Sequence, residues 1–168
     1  GRELSIVMTV LSMIMLKSLN SPAATELLRL PGNMGGLAWS PDGSRIAFYS
    51  NASGFYDIYV MDATGANLQN ITQSDNVDGD PLWSPDGSRL LFSGLPGATF
   101  EIYTIPANGG ELANLTQNAY NEFEPAWSPD GNWVVYSSDQ DVNEYYGLYI
   151  VDAQGNNQIG RASCRERV

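Results

Sequence analysis

A chain of 168 residues with 19 acidic side chains, eight basic ones and no histidine carries a formal net charge of −11. That balance excludes a surface for the phosphate backbone of nucleic acid, which needs a basic patch, and disfavours an anionic membrane surface for the same reason. With no histidine and a single cysteine, Cys164, the chain can assemble neither a Ser–His–Asp triad nor a His- or Cys-based zinc site, and it holds no disulfide framework.

The first element is an apolar run from Leu4 to Leu16, interrupted by Ser5, Thr9 and Ser12 and followed by the small-x-small triplet Ser21-Pro22-Ala23. Its length suits the h-region of a signal peptide better than a spanning helix, which takes about 20 apolar residues. Residues 1–23 are therefore expected to be a signal peptide, or a membrane anchor if the run extends past Lys17 to Leu19. An ordinary buried strand or helix is the alternative. A leader or anchor implies export, with the protein periplasmic or held at the outer side of a membrane, and any membrane contact limited to this segment.

From Met34 onward one phrase recurs: Trp39-Ser40-Pro41-Asp42-Gly43, Trp83-Ser84-Pro85-Asp86-Gly87 and Trp127-Ser128-Pro129-Asp130-Gly131, 44 residues apart each time. A fixed period of about 40–45 residues is the mark of a β-propeller blade, one four-stranded antiparallel sheet per repeat. In the first blade the expected strands are Gly36–Ser40, Arg45–Ser50, Tyr56–Asp62 and Asn67–Thr72. Pro presets φ and Gly accepts positive φ, so Pro41-Asp42-Gly43 is expected to form a tight hairpin. Asp42, Asp86 and Asp130 are expected to bond their own turns rather than a cation. Trp39, Trp83 and Trp127 are each large enough to fill the wedge between neighbouring sheets; a ligand-stacking surface is the alternative.

These residues resemble the TolB-type, WD-repeat-like β-propeller repeat, including the strand Asp57-Ile58-Tyr59-Val60-Met61-Asp62. The resemblance covers about Leu27 to Gln158, and residues 24–158 are expected to be the propeller unit. It implies an all-β fold. The family commonly builds six blades, so about three blades are expected to be a fragment of a six-bladed ring. The repeat occurs in periplasmic TolB, in the propellers of prolyl oligopeptidase-like peptidases and in membrane-kinase sensor domains. It therefore implies a protein- or ligand-binding module of the bacterial cell envelope, with a peptidase's gating propeller or a sensor ectodomain as alternatives. A peptidase would need a Gly-x-Ser-x-Gly nucleophile elbow, which this chain lacks.

No catalytic residue is expected. The most selective feature is the loop entering each inner strand: Asp78-Gly79-Asp80-Pro81 and Glu122-Phe123-Glu124-Pro125, against Met34-Gly35-Gly36 in the first blade. Asp78, Asp80, Glu122 and Glu124 would concentrate negative potential at the channel mouth. That suits a basic peptide or Ca²⁺, which prefers carboxylate oxygens; a solvated acidic rim is the simpler reading, and no other cofactor or metal is expected. The hairpin tips at 51–55, 94–98 and 139–144 vary between repeats, as specificity loops on a constant scaffold do. Asn70-Ile71-Thr72 and Asn114-Leu115-Thr116 match a glycosylation sequon but are read as repeated strand ends.

The last ten residues, 159–168, leave the pattern. Ile-Gly-Arg-Ala-Ser-Cys-Arg-Glu-Arg-Val resembles the translation of a common sequencing adapter, and the segment is expected to be non-native. It contains the only cysteine and three of the eight basic residues, Arg161, Arg165 and Arg167.

Overall fold

The computed structural model describes residues 4–9, 13–18, 23–140 and 146–159. Every regular element among them is a strand. Three four-stranded antiparallel sheets follow one another: β4–β7 (Met34–Trp39, Arg45–Ser50, Asp57–Asp62, Gln69–Asn70), β8–β11 (Val77–Trp83, Arg89–Leu95, Glu101–Pro106, Ala113–Asn114) and β12–β15 (Glu122–Trp127, Trp133–Ser138, Gly147–Asp152, Gln158–Ile159). Within each, the strands lie in chain order. The repeat therefore builds blades, as its period requires.

The turn phrase explains itself atom by atom. Gly43 adopts φ 70° and its amide donates to the Ser40 carbonyl at 2.8 Å. The Ser40 hydroxyl accepts from the Arg45 amide at 2.9 Å and donates to Asp42 at 2.6 Å. No heavy atom lies within 4 Å of where a Cβ on Gly43 would be, so conformation and not space calls for glycine there. The inner, third and outer strands differ in their limits from expectation, the third beginning at Asp57 rather than Tyr56. The inner strand begins at Met34 and ends at Trp39, because Ser40 belongs to the turn. The outer strand shrinks to Gln69–Asn70 because the Thr72 hydroxyl, rather than a backbone carbonyl, takes the Ile58 amide at 3.0 Å.

The core lies between sheets. The inner strand β8 packs on β4, β5 and β6, and β12 packs on β9 and β10. Ala47, Ile58, Val60 and Ile71 of one blade meet Trp83, Leu90, Phe92 and Tyr103 of the next. A cross-strand aromatic pair recurs in each blade, Phe48–Tyr59, Phe92–Tyr103 and Tyr136–Tyr149, with centroids 5.6, 5.9 and 5.9 Å apart. Trp83 fills the wedge as expected: it is buried, its indole N–H donates to the Ala38 carbonyl at 3.0 Å, and the Arg45 guanidinium lies 4.6 Å from its ring centroid. Trp39 and Trp127 are half-buried.

Part of the apolar run expected as a leader or anchor lies in strands among the described residues. Leu4–Thr9 (β1) and Met13–Ser18 (β2) form an antiparallel hairpin that pairs on through β2 with Ala24–Arg29 (β3). Ile14 is fully buried against Met34, Ile46, Phe48 and Tyr59. Ile14, Ile58 and Ile102 are spaced 44 residues apart and share the same complete burial. The described strands of this segment thus pair and pack with the sheet that follows. Among the described residues no helix is long and apolar enough to cross a membrane. Of the expected non-native tail only Ile159 is described, paired with Ile150; residues 160–168 lie outside the described residues, as do 141–145 of the third hairpin tip.

Candidate binding face

The sheet register gathers two loop types at one end. Met34, where the inner strand starts, pairs with Ser50, where the second strand stops, and Ser50 pairs with Asp57, where the third begins. Entry loops and hairpin tips therefore share a face, while the Ser-Pro-Asp-Gly turns lie at the opposite end. Hydrogen bonds join them: the Asn33 amide donates to the Asn51 side-chain oxygen at 2.6 Å, and the Asn121 amide to Asp139 at 2.8 Å. Across blades, the Asp78 amide donates to the Tyr56 carbonyl and the Glu122 amide to the Phe100 carbonyl, each at 2.8 Å.

The four acids expected at the channel mouth separate into two pairs. Asp78 and Glu122 are buried, so they do not form an exposed rim. Asp78 accepts from the Ser74 hydroxyl at 2.8 Å; burial pushes its carboxyl above the usual range, against the Ser74 and Thr72 hydroxyls and with the Asp57 charge. Glu122 Oε1 accepts from the Asn118 side chain at 2.9 Å and the Ser138 hydroxyl at 3.1 Å, while Oε2 has no partner. Burial pushes its carboxyl up to about 7, with the Glu101 charge adding and the Asn118 and Ser138 bonds opposing.

Asp80 and Glu124 are exposed. Each occupies a bulge that shifts the register, between Gly79 and Leu82 or between Phe123 and Ala126, and each has a left-handed backbone, φ 50° and 52°. In the first blade Gly36 occupies the same bulge at φ 60°. The bulge re-aims the side chain outward at the start of the inner strand, so these two remain the candidate contacts.

Two further acids, Asp57 and Glu101, also lie at this end. Asp57 is buried and accepts from the Ser53 hydroxyl (2.5 Å), the Asn70 side chain (2.7 Å), the Thr72 hydroxyl (3.1 Å) and the Ser74 amide (2.8 Å). Glu101 takes the same place in the next blade, accepting from Thr116 at 2.6 Å. The repeated Asn-x-Thr is therefore an internal strut holding the outer loop onto the third strand. Its signal in the sequence is the joint recurrence of Asp57 with Asn70-x-Thr72 and of Glu101 with Asn114-x-Thr116.

Among the described residues, the basic side chain at this end is Arg29, and it is paired with Glu26 at 3.0 Å. Arg45 and Arg89 stand at the turn end, where Arg45 donates to the Gly87 carbonyl and Arg89 to Thr104. The entry-loop face is thus one-sidedly negative. It carries a cavity of about 310 Å³ between the first two complete blades, lined by Asn33, Met34, Tyr49, Tyr56, Val77, Asp78, Gly79 and Asp80. Among the described residues, no group of three or more His, Cys, Asp or Glu side chains is placed to hold a metal ion.

The family model described as TolB beta propeller domain matches residues 8–113. A solved structure of a putative TolB from Agrobacterium tumefaciens is 26% identical with a TM-score of 0.72, over 89% of this chain and 56% of that one. TolB from Acinetobacter baumannii is 22% identical with a TM-score of 0.73, over 97% of this chain and 41% of that one. A puromycin-hydrolyzing peptidase of Mycobacterium tuberculosis shares the fold at 14% identity and a TM-score of 0.74, over 94% of this chain and 29% of its own. The chain spans about half the length of the two TolB structures it matches. The family match starts inside β1, in keeping with the apolar run being part of the blade stack.

Proposed function

The chain belongs to the TolB beta propeller domain family, and on that premise we propose that it is a non-catalytic module that binds a protein or peptide partner in the bacterial cell envelope. Support for the envelope comes from the family. Support for a binding role without chemistry comes from the residue set: without histidine the chain lacks the parts of a Ser–His–Asp site.

One observation carries the choice of surface. Asp80 and Glu124 are lifted by matching bulges onto one face, and the arginine described at that end is already paired. Such a face attracts a basic segment and repels an acidic one. The test uses the full-length protein on an array of basic, neutral and acidic peptides. Enrichment of basic peptides, abolished in an Asp80→Lys, Glu124→Lys double variant, is expected. Binding without charge preference, or unchanged in the double variant, rules this face out.

A further inference from the structure

The cavity on the acidic face exists because of one residue. Phe123 in β12 is the repeat counterpart of Gly79 in β8, 44 residues apart, and Phe100 is the counterpart of Tyr56. The Phe123 ring packs on Phe100 with centroids 5.0 Å apart, filling that junction. At Gly79 nothing lies within 4 Å of where a Cβ would be, so the preceding junction stays open, at about 310 Å³. That volume is at the small end of ligand sites, which run from roughly 300 to 1,000 Å³, and suits a single side chain.

Its walls combine aromatic rings with a carboxylate. Tyr49 and Tyr56 meet edge to face, centroids 5.7 Å apart. Tyr49 lies over the inner strand only because Gly35 is bare: a Cβ there would be 2.2 Å from the tyrosine oxygen. Asp80 stands at the rim, with one carboxylate oxygen 3.0 Å from where a Cβ on Gly36 would be. Burial raises the Tyr49 hydroxyl above its ordinary value and the Asp80 charge adds to this, so the ring stays a neutral phenol. Among the described residues, no basic side chain lines the cavity.

We propose that this cavity receives the guanidinium of an arginine from a peptide partner, stacked on the tyrosine pair and bonded to the Asp80 carboxylate. A guanidinium is planar, weakly hydrated and able to bond a carboxylate in a fork while lying against a ring; an ammonium is none of these. The assignment rests on the acidic-face reading above and narrows it to one pocket.

The test titrates the full-length protein with acetyl-Gly-Arg-Gly-amide and with its citrulline isostere, by calorimetry and amide NMR. The arginine peptide is expected to bind and to shift the Gly79 and Asp80 amides, with the citrulline peptide weaker by about tenfold or more. Gly79→Phe fills the cavity as the next repeat does and removes no charge; Asp80→Asn suits the left-handed backbone there. Each is expected to weaken binding about tenfold, and Glu124→Gln at the next junction less than about twofold. A melting curve verifies the fold of Gly79→Phe, and Asp80→Asn decides the matter if that variant is unfolded. Equal affinity for the citrulline peptide, or undiminished binding by the folded variants, overturns the pocket. Loss on Glu124→Gln with Gly79→Phe unchanged overturns the pocket and leaves the acidic-face reading standing. No binding of the arginine peptide overturns the pocket, and if the basic peptides of the array also fail to bind, the acidic face falls with it.

Discussion

Asp42 locks its turn to Ser40: one carboxylate oxygen accepts from the Ser40 hydroxyl at 2.6 Å and from the Ser44 amide at 3.0 Å. Asp86 does the same with Ser84 and Ser88, and Asp130 with Ser128 and Asn132. The serine hydroxyl is the largest cause that holds each carboxyl well below the usual range, at about 2. An unfolded aspartate titrates near 3.9. The folded value is the lower one, so the turns contribute stability above the unfolded value and lose it as pH falls toward about 2. Carbon-detected NMR titration is expected to place all three midpoints close to 2. Midpoints near 4 would show that the turn bonds do not persist in solution.

Glu122 titrates in the opposite sense. Burial raises its carboxyl to about 7, above the unfolded value of about 4.3. Its contribution to stability is therefore complete below the unfolded value and is lost as pH rises through about 7. Glu122→Gln keeps an oxygen for Asn118 and Ser138 and removes the charge. It is expected to stabilise the protein by on the order of 1–2 kcal/mol at pH 8 and by little at pH 4. Urea denaturation at the two pH values measures this; a destabilisation at pH 8 equal to that at pH 4 would contradict it.

Much of this architecture is legible in the residues. The turn phrase, the 44-residue period and the Trp83 wedge follow from proline, glycine and aromatic chemistry at fixed spacing. The division of the acids does not, because Asp78 and Asp80 stand two apart on one strand and simple alternation gives both the same face. The bulge at Asp80 breaks that alternation, and only Gly36 at the matching repeat position hints at it. Met34 is the counterpart of Asp78 and Glu122, and an apolar residue there signals a buried position. The strands Leu4–Thr9 and Met13–Ser18 were hidden for a different reason: they lack the turn phrase, and a largely apolar run of this length reads first as a leader.

Trp83 carries the junction between the first two complete blades. Removing its side chain leaves a cavity, opens the Ala38 carbonyl bond and strips Arg45 of its ring. Trp83→Ala is expected to cost about 3–5 kcal/mol. Trp83→Phe keeps most of the volume and loses the N–H bond, for about 1 kcal/mol from that bond. Denaturant titration of the two variants gives the order directly. If Trp83→Ala costs no more than Trp83→Phe, the ring does not fill the wedge.

Leu148 and Ile102 hold the same place in successive third strands, ahead of Tyr149 and Tyr103, yet Leu148 is 60% exposed and Ile102 is fully buried. Ile102 is covered by the following blade; Leu148, with Ile150 and Tyr146, lies on a blade face that none of the described residues covers. A contiguous apolar patch of this kind drives association. The 168-residue chain is therefore expected to self-associate or aggregate in sedimentation velocity, and Leu148→Lys to raise the monomer fraction without lowering stability. Ile102→Lys buries an unpaired charge and is expected to cost several kcal/mol, enough to unfold the chain. Equal destabilisation by the two substitutions would mean that the face at Leu148 is covered in solution by an ordered part of the protein.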